Sequence, residues 1–142
     1  MRYTIQEVEW SQEQDALYSI REVVFIQEQQ VPASLERDEW DARSRHVLAR
    51  DENQRPIACG RLLPDGQIGR MAVLREWRGL GLGRAILQQL LNIAREHDYP
   101  HVHVHSQTHA LGFYEGFAFV PHGEEFMEAG IPHRHMTLTF SS

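Results

Sequence analysis

Residues 78–84, Arg78-Gly79-Leu80-Gly81-Leu82-Gly83-Arg84, join an apolar run at 68–74 to a helix-forming segment at 85–91. A strand that enters a helix through glycines leaves several backbone N–H groups unpaired at the helix start. Those donors, with roughly half a positive charge from the helix dipole, attract phosphate. Arg78 and Arg84 flank the turn and can add charge-assisted bonds. The predicted ligand therefore carries phosphate. A glycine-rich connection with no ligand is the plain alternative.

Spacing separates three readings of these glycines. A Walker loop ends in Gly-Lys-Ser/Thr, the lysine reaching the terminal phosphates, whereas Gly83 is followed by Arg84 and Ala85. The dinucleotide fingerprint needs a third glycine three residues after the second. Counting from Gly79 or Gly81 lands on Arg84 or Ile86. The third reading, arginine followed by x-x-Gly-x-Gly, is met by Arg78, Gly81 and Gly83. It resembles the pyrophosphate-binding motif of the GCN5-related N-acetyltransferases (GNAT), which use acetyl-CoA.

The chain has 142 residues, enough for a substantial core, with 42% hydrophobic and 24% charged residues as in ordinary soluble proteins. No apolar run approaches the ~18 residues of a membrane span. The start, Met1-Arg2-Tyr3-Thr4-Ile5-Gln6-Glu7, lacks the apolar block of a signal peptide. A single cysteine, Cys59, cannot form an internal disulfide and fits a reducing cytoplasm. It reads as a small buried residue rather than a nucleophile. A formal net charge of -6 argues against general nucleic-acid binding. All the positive side chains are arginines. Acidic residues gather at 36–41 and again at Glu124, Glu125 and Glu128. For each one a solvated loop charge is the simple expectation. If both groups lined one cleft they would favour a cationic acceptor such as an amine.

The pattern predicts one domain over 1–142. Alternation at 3–9 marks a strand, and apolar residues at helical intervals mark a helix over 12–29, with Ser11 as its N-cap. Val31-Pro32 ends that helix. Strands follow at 46–50, 56–63 and 67–74, then the post-glycine helix, a strand at 101–105, a short helix at 110–116, and strands at 117–125 and 133–140. A helical crossover between the third strand of the meander and His101 suits a parallel pair; the short turns suit antiparallel neighbours. The predicted fold is α/β (α+β): a mixed, mostly antiparallel sheet flanked by helices.

That order is similar to the GNAT fold across nearly the whole chain. Ala110-x-x-Phe113-Tyr114 resembles the family's late helix, which carries a tyrosine near the thioester sulfur. Arg21-x-x-Val24-Phe25-x-x-Glu28-Gln29-x-Val31-Pro32, with Asp38 and Asp41 and then Gly130-Ile131-Pro132-His133, resembles the ElaA-like branch. The resemblance implies a splayed central pair of parallel strands, with the free backbone of Met71, Ala72 and Val73 pairing with the pantetheine arm. It implies that Gly79, Gly81, Gly83, Arg78 and Arg84 hold the diphosphate, and that Gln107, Phe113 and Tyr114 complete the acetyl-CoA site. The Val73 N–H is the expected donor to the thioester carbonyl, and Tyr114 the general acid for the departing thiolate. The base stays open among Glu28, Glu128 and a histidine. Relatives usually have glycine-phenylalanine where this chain has Ala118-Phe119, with glycine earlier at Gly116. The turn is therefore expected to be made differently here.

The implied activity is acetyl transfer from acetyl-CoA to a primary amine of a small molecule or peptide. Cys59 has no evident partner base, so transfer is expected to be direct, in a ternary complex. A homodimer is compatible with the sequence, dimers being the commonest closed assembly. Two rivals stand beside this reading. His101, His103 and His105 share one strand face, and His133 and His135 repeat the spacing, as a metal-binding protein or metallohydrolase could use. A coenzyme A-binding module without turnover is the other.

Overall fold

The computed structural model describes residues 2–36 and 38–140. Strand β1 (Tyr3–Val8) leads into α1 (Trp10–Arg21), which widens into a π-helical segment, Glu22–Glu28. A short helix α2 (Ala33–Glu36) follows, then the meander β2 (Arg45–Asp51), β3 (Pro56–Leu62) and β4 (Gln67–Val73). The glycine turn opens α3 (Leu82–Glu96), and β5 (His101–Gln107), α4 (Leu111–Glu115), β6 (Val120–Glu128) and β7 (Ile131–Thr139) complete the chain. The strands form one sheet in the order β1-β2-β3-β4-β5-β7-β6, in which only β4 and β5 run parallel. This is the mixed sheet expected from the element order.

Both faces of the central strands are covered. A Cβ placed on Gly60 would lie 2.8 Å from Ile86 and Leu90, so that face of β3 carries α3. Cys59 and Arg61 point the opposite way by strand alternation, and Arg61 shares Asp41 with Arg21 of α1. Ile86, Leu87, Leu90, Ile93 and Ala94 are buried, along with Leu17 and Ile20 of α1.

Two local expectations need correction. Ser11 is not the N-cap of α1: Glu9 takes that position, and its carbonyl accepts the N–H groups of Gln12 and Glu13. Trp10 is drawn into the helix because its ring stacks on His46, with centroids 5.1 Å apart, and underlies the Arg21 guanidinium. The single helix expected over 12–29 changes pitch after Arg21. There the N–H of Gln29 reaches back five residues to Val24, and that of Val31 reaches Phe25.

Glu36, Asp38 and Asp41 are also not solvated loop charges. Glu36 and Asp41 are buried and serve as counter-ions to arginines from three elements. Arg21 Nε bonds Glu36, and its two terminal nitrogens grip Asp41 at 2.8 and 3.1 Å. Arg61 adds bonds to Asp38 and Asp41, and Arg70 donates to the Glu36 carbonyl and Asp38. Buried charges persist when paired in this way.

Candidate active site

The site begins where the parallel pair comes apart. β4 and β5 pair only at Gln67↔His103 and Ile68↔Val104. Just beyond, β4 bulges: Arg70 and Met71 together oppose Gly60, between the pairs Arg61↔Gly69 and Cys59↔Ala72. Arg70 adopts φ +48, a left-handed conformation that costs a non-glycine residue ~1–2 kcal/mol. Its guanidinium bonds to Glu36 and Asp38 hold it there. A bulge re-aims the strand it interrupts, and here it turns β4 away from β5.

Past the bulge the backbone of β4 faces open space. The Leu74 N–H donates to Ile57 of β3. By alternation the Val73 N–H and C=O point to the other side, toward the gap. The Val73 carbonyl there accepts Arg78 Nε at 2.9 Å. Arg78 also donates to Glu28 at 2.8 Å. The guanidinium is thus tied back across the turn, and Glu28 serves as its counter-ion rather than as part of the cavity wall described below. Arg84 lies over the Phe117 ring at 5.1 Å.

The turn itself needs its glycines. Gly79 and Gly81 have φ of +78 and +84, and Gly81 is the N-cap of α3. Gly83 is different. It sits in the first turn of the helix with no left-handed φ, and an added Cβ would meet only Val73, at 3.9 Å. Nothing among the described residues explains why a helix would accept glycine there, at about 1 kcal/mol relative to alanine.

Between the diverging strands lies a cavity of about 520 Å³. Its wall includes Met71 of β4, His105 and Gln107 of β5, Tyr114 of α4, and Glu128 and His133 of the last hairpin. Of the residues singled out from the sequence, it brings together Met71, Gln107 and Tyr114 with Glu128 of the base candidates and His105 and His133 of the metal reading. Val73, Ala72, Phe113 and the glycine turn lie outside it. Gln107 donates to Gln29 at 3.1 Å, bridging the end of β5 to the π-helical segment. Gln29, Glu36 and Arg70 also line the cavity; in the sequence Gln29 has only a place in the family motif and Glu36 one in an acidic group, and Arg70 is not singled out. The alternation at His101, His103 and His105 reads in the sequence as metal-ligand spacing.

Tyr114 is fixed by the way α4 ends. The Phe119 N–H bonds the Tyr114 carbonyl and the Ala118 N–H bonds that of Glu115, with the Phe119 and Tyr114 rings 5.6 Å apart. This is a Schellman closure, whose left-handed position normally belongs to glycine. Ala118 occupies it at φ +73, so the turn is not made differently. The strained residue is Ala118, while Gly116 sits at φ −61, where glycine is not required. Ala118→Gly relieves the left-handed strain and adds chain entropy to the unfolded state; the net expectation is a gain of about 1 kcal/mol. Urea unfolding measures this, and a loss of stability would contradict the strain.

The Tyr114 hydroxyl faces Met71 Sδ at 3.9 Å, and burial pushes its phenol up to about 12. Burial also pushes the Cys59 thiol up to about 12, and its Sγ donates to the Arg70 carbonyl. A thiol so held is inert as a nucleophile.

The metal alternative finds no geometry. Among the described residues no group of three or more His, Cys, Asp or Glu side chains is placed to hold a metal ion. The His103 and His105 rings are 6.4 Å apart, and His105 Nδ1 turns instead to Glu128 Oε1 at 2.9 Å.

Comparison with known proteins agrees with this architecture. The family model described as "Acetyltransferase (GNAT) domain" matches residues 7–140. The uncharacterized N-acetyltransferase YjcF of Bacillus subtilis is 36% identical over 126 residues, 86% of this chain and 89% of its own. Protein ElaA of Escherichia coli is 32% identical over 127 residues, 83% and 82% of the two chains. The ElaA crystal structure superposes with a TM-score of 0.84, covering 96% of this chain and 99% of that one. An acyl-CoA N-acyltransferase from Pseudomonas aeruginosa gives a TM-score of 0.83 at 29% identity, covering 96% and 97%. With its splayed parallel pair, bulged β4 and glycine-started α3, the chain belongs to the GNAT family of acyl-CoA N-acyltransferases and is an acyltransferase.

Proposed function

We propose that the protein transfers an acetyl group from acetyl-CoA directly to a primary amine, with both substrates bound together. The observation that carries this reading is the unpaired edge of β4 running straight into a helix N-terminus. The Val73 N–H faces the gap, and the amides around Gly79, Gly81 and Gly83 follow within one turn. Coenzyme A has a matching order of parts: an amide-bearing arm, then a diphosphate. Glycine at 83 keeps the first turn of α3 open for the diphosphate, which accounts for a residue the protein's own packing does not require.

The chain's residues then divide the chemistry. The Val73 N–H stabilises charge on the thioester oxygen, and removing one such donor typically costs ~10²–10³ in rate. Tyr114, still protonated at any ordinary pH, supplies the proton to the departing sulfur. The buried, high-pKa Cys59 offers no acyl-cysteine route. The acceptor enters on the side of His105 and Glu128.

Gly83→Leu is expected to weaken coenzyme A binding about tenfold or more while leaving stability equal or slightly higher, since leucine is the better helix former. Calorimetry and urea unfolding of the same variant check both halves. The acceptor is sought by following free-thiol release from acetyl-CoA with spermidine, glucosamine, lysine, kanamycin and a short peptide with a free N-terminus. Release above the no-amine rate with any of them supports amine acetylation. Coenzyme A binding with no release from a broad amine panel would favour a binding module instead.

A further inference from the structure

We propose that His105 is the general base for the acceptor amine and Glu128 its positioning residue; the assignment rests on the acyl-transfer reading above. His105 is the first residue of β5 after the last parallel pair, Ile68↔Val104, so it stands where the gap opens. It shares the cavity wall with Tyr114.

Its tautomer follows from its partner. Nδ1 lies 2.9 Å from Glu128 Oε1, and an ionised carboxylate only accepts hydrogen bonds. Neutral His105 therefore carries its proton on Nδ1 and keeps the lone pair on Nε2. A carboxylate holding one imidazole nitrogen so that the other serves as base is the logic of hydrolase triads. Glu128 stays ionised: the bond from His105 holds its carboxyl below the ordinary range.

The surroundings favour the same assignment. His133 Nδ1 donates to the Ile131 carbonyl at 2.6 Å, and its Nε2 lies 3.6 Å from Glu128 Oε2, steadying the second carboxylate oxygen when protonated. From β7, His135 packs edge-on against His105 at 4.7 Å and is stacked on Phe126 and His122. Burial, then neighbouring histidines, hold His135 below its ordinary value; His103 on β5 is lowered chiefly by burial. Both are thereby less readily protonated than an ordinary imidazole. Arg70, on the cavity wall, adds positive potential at Glu128. Glu28, one of the base candidates from the sequence, is committed to Arg78 instead.

The protons balance. His105 Nε2 takes one proton from the acceptor ammonium and passes it to solvent, leaving a neutral amine. The amine nitrogen bonds the acyl carbon, the C–S bond breaks, and Tyr114 gives its proton to sulfur. The second nitrogen proton returns through water to Tyr114. The sum is one amide, one thiol and one released proton.

Two measurements test the assignment, the first needing no acceptor. Long-range ¹H–¹⁵N NMR of the histidine rings should find neutral His105 protonated at Nδ1, and Glu128→Ala should shift it toward the Nε2–H form. In the thiol-release assay, with whichever amine of the panel turns over fastest, His105→Gln should lower kcat/KM about 100-fold or more and abolish its acid limb. Coenzyme A affinity should be unchanged. A proton on Nε2, or wild-type kcat/KM in His105→Gln, overturns the base assignment alone. Absence of any coenzyme A binding to wild type removes the acyl-transfer reading and the base with it.

Discussion

Arg21→Met lowers the free energy of unfolding by about 3–5 kcal/mol, the cost of breaking a buried ion pair from one side. Arg21 is 1% exposed and joins Glu36 and Asp41, themselves 1% and 3% exposed. Burial opposes its charge, but the bonds and charges of those two carboxylates outweigh burial and hold the guanidinium more firmly protonated. Without it, Arg61 still reaches Asp41 at 3.0 Å, while Arg70 approaches the Glu36 carboxylate only at 3.8 Å. Glu36 Oε2 has no hydrogen-bond partner among the described residues even in the wild type, so the loss falls hardest on Glu36. Adding Glu36→Gln to Arg21→Met should recover part of the loss, because the second change removes the charge the first left unpaired. Urea unfolding of the two single variants and the double gives the coupling, and a loss below about 1 kcal/mol in Arg21→Met would contradict the assignment. The same cluster sets an acid dependence. Burial and the nearby arginines keep His46 below its ordinary 6.5, and Arg21 and Arg61 keep Asp41 below 3.8 despite burial. Both groups bind protons more readily in the unfolded chain, so stability falls as pH drops below about 6.5 and again below about 3.8.

Tyr114→Phe is expected to lower turnover by ~10²-fold or more, within the range a positioned proton donor contributes. Coenzyme A affinity should scarcely change. Folding is not the explanation in this case. The hydroxyl faces a thioether at 3.9 Å, a weak acceptor, so its removal costs the fold little. The phenol near 12 remains protonated across the usual assay range, and the wild-type rate should show no basic limb from this group. A thiolate departing into the same buried wall is itself penalised, which makes an O–H pointed at the sulfur the useful contribution. Wild-type turnover in Tyr114→Phe, with intact acetyl-CoA binding, would take the tyrosine out of the reaction.

Much of the fold was legible because the relevant signals are local. The glycine turn, the meander with its polar turns and the helical stripe of α3 each follow from neighbours in sequence. The parallel pair followed from crossover length alone. What escaped required partners far apart in the chain. The run at 36–41 carries the same letters whether its carboxylates are solvated or paired; Arg21, Arg61 and Arg70 arriving from α1, β3 and β4 pair Glu36, Asp38 and Asp41. The His105–Glu128 pair joins residues 23 apart across β7 and is invisible to motif spacing. Ala118 was noticed as a departure, yet the left-handed turn survived it, because the two Schellman bonds and the Tyr114–Phe119 contact outweigh ~1–2 kcal/mol of strain. The proposed site was therefore half readable: the turn and the tyrosine came from motifs, and the proposed acceptor side only from the assembled hairpin.

The most direct test of the central claim is isothermal titration of the purified protein with coenzyme A, alongside its thermal unfolding with and without the ligand. The account predicts one site per chain, with affinity in the ~1 μM–1 mM range typical of enzyme substrates, and a raised unfolding temperature. No heat and no protection from a correctly folded sample would contradict it.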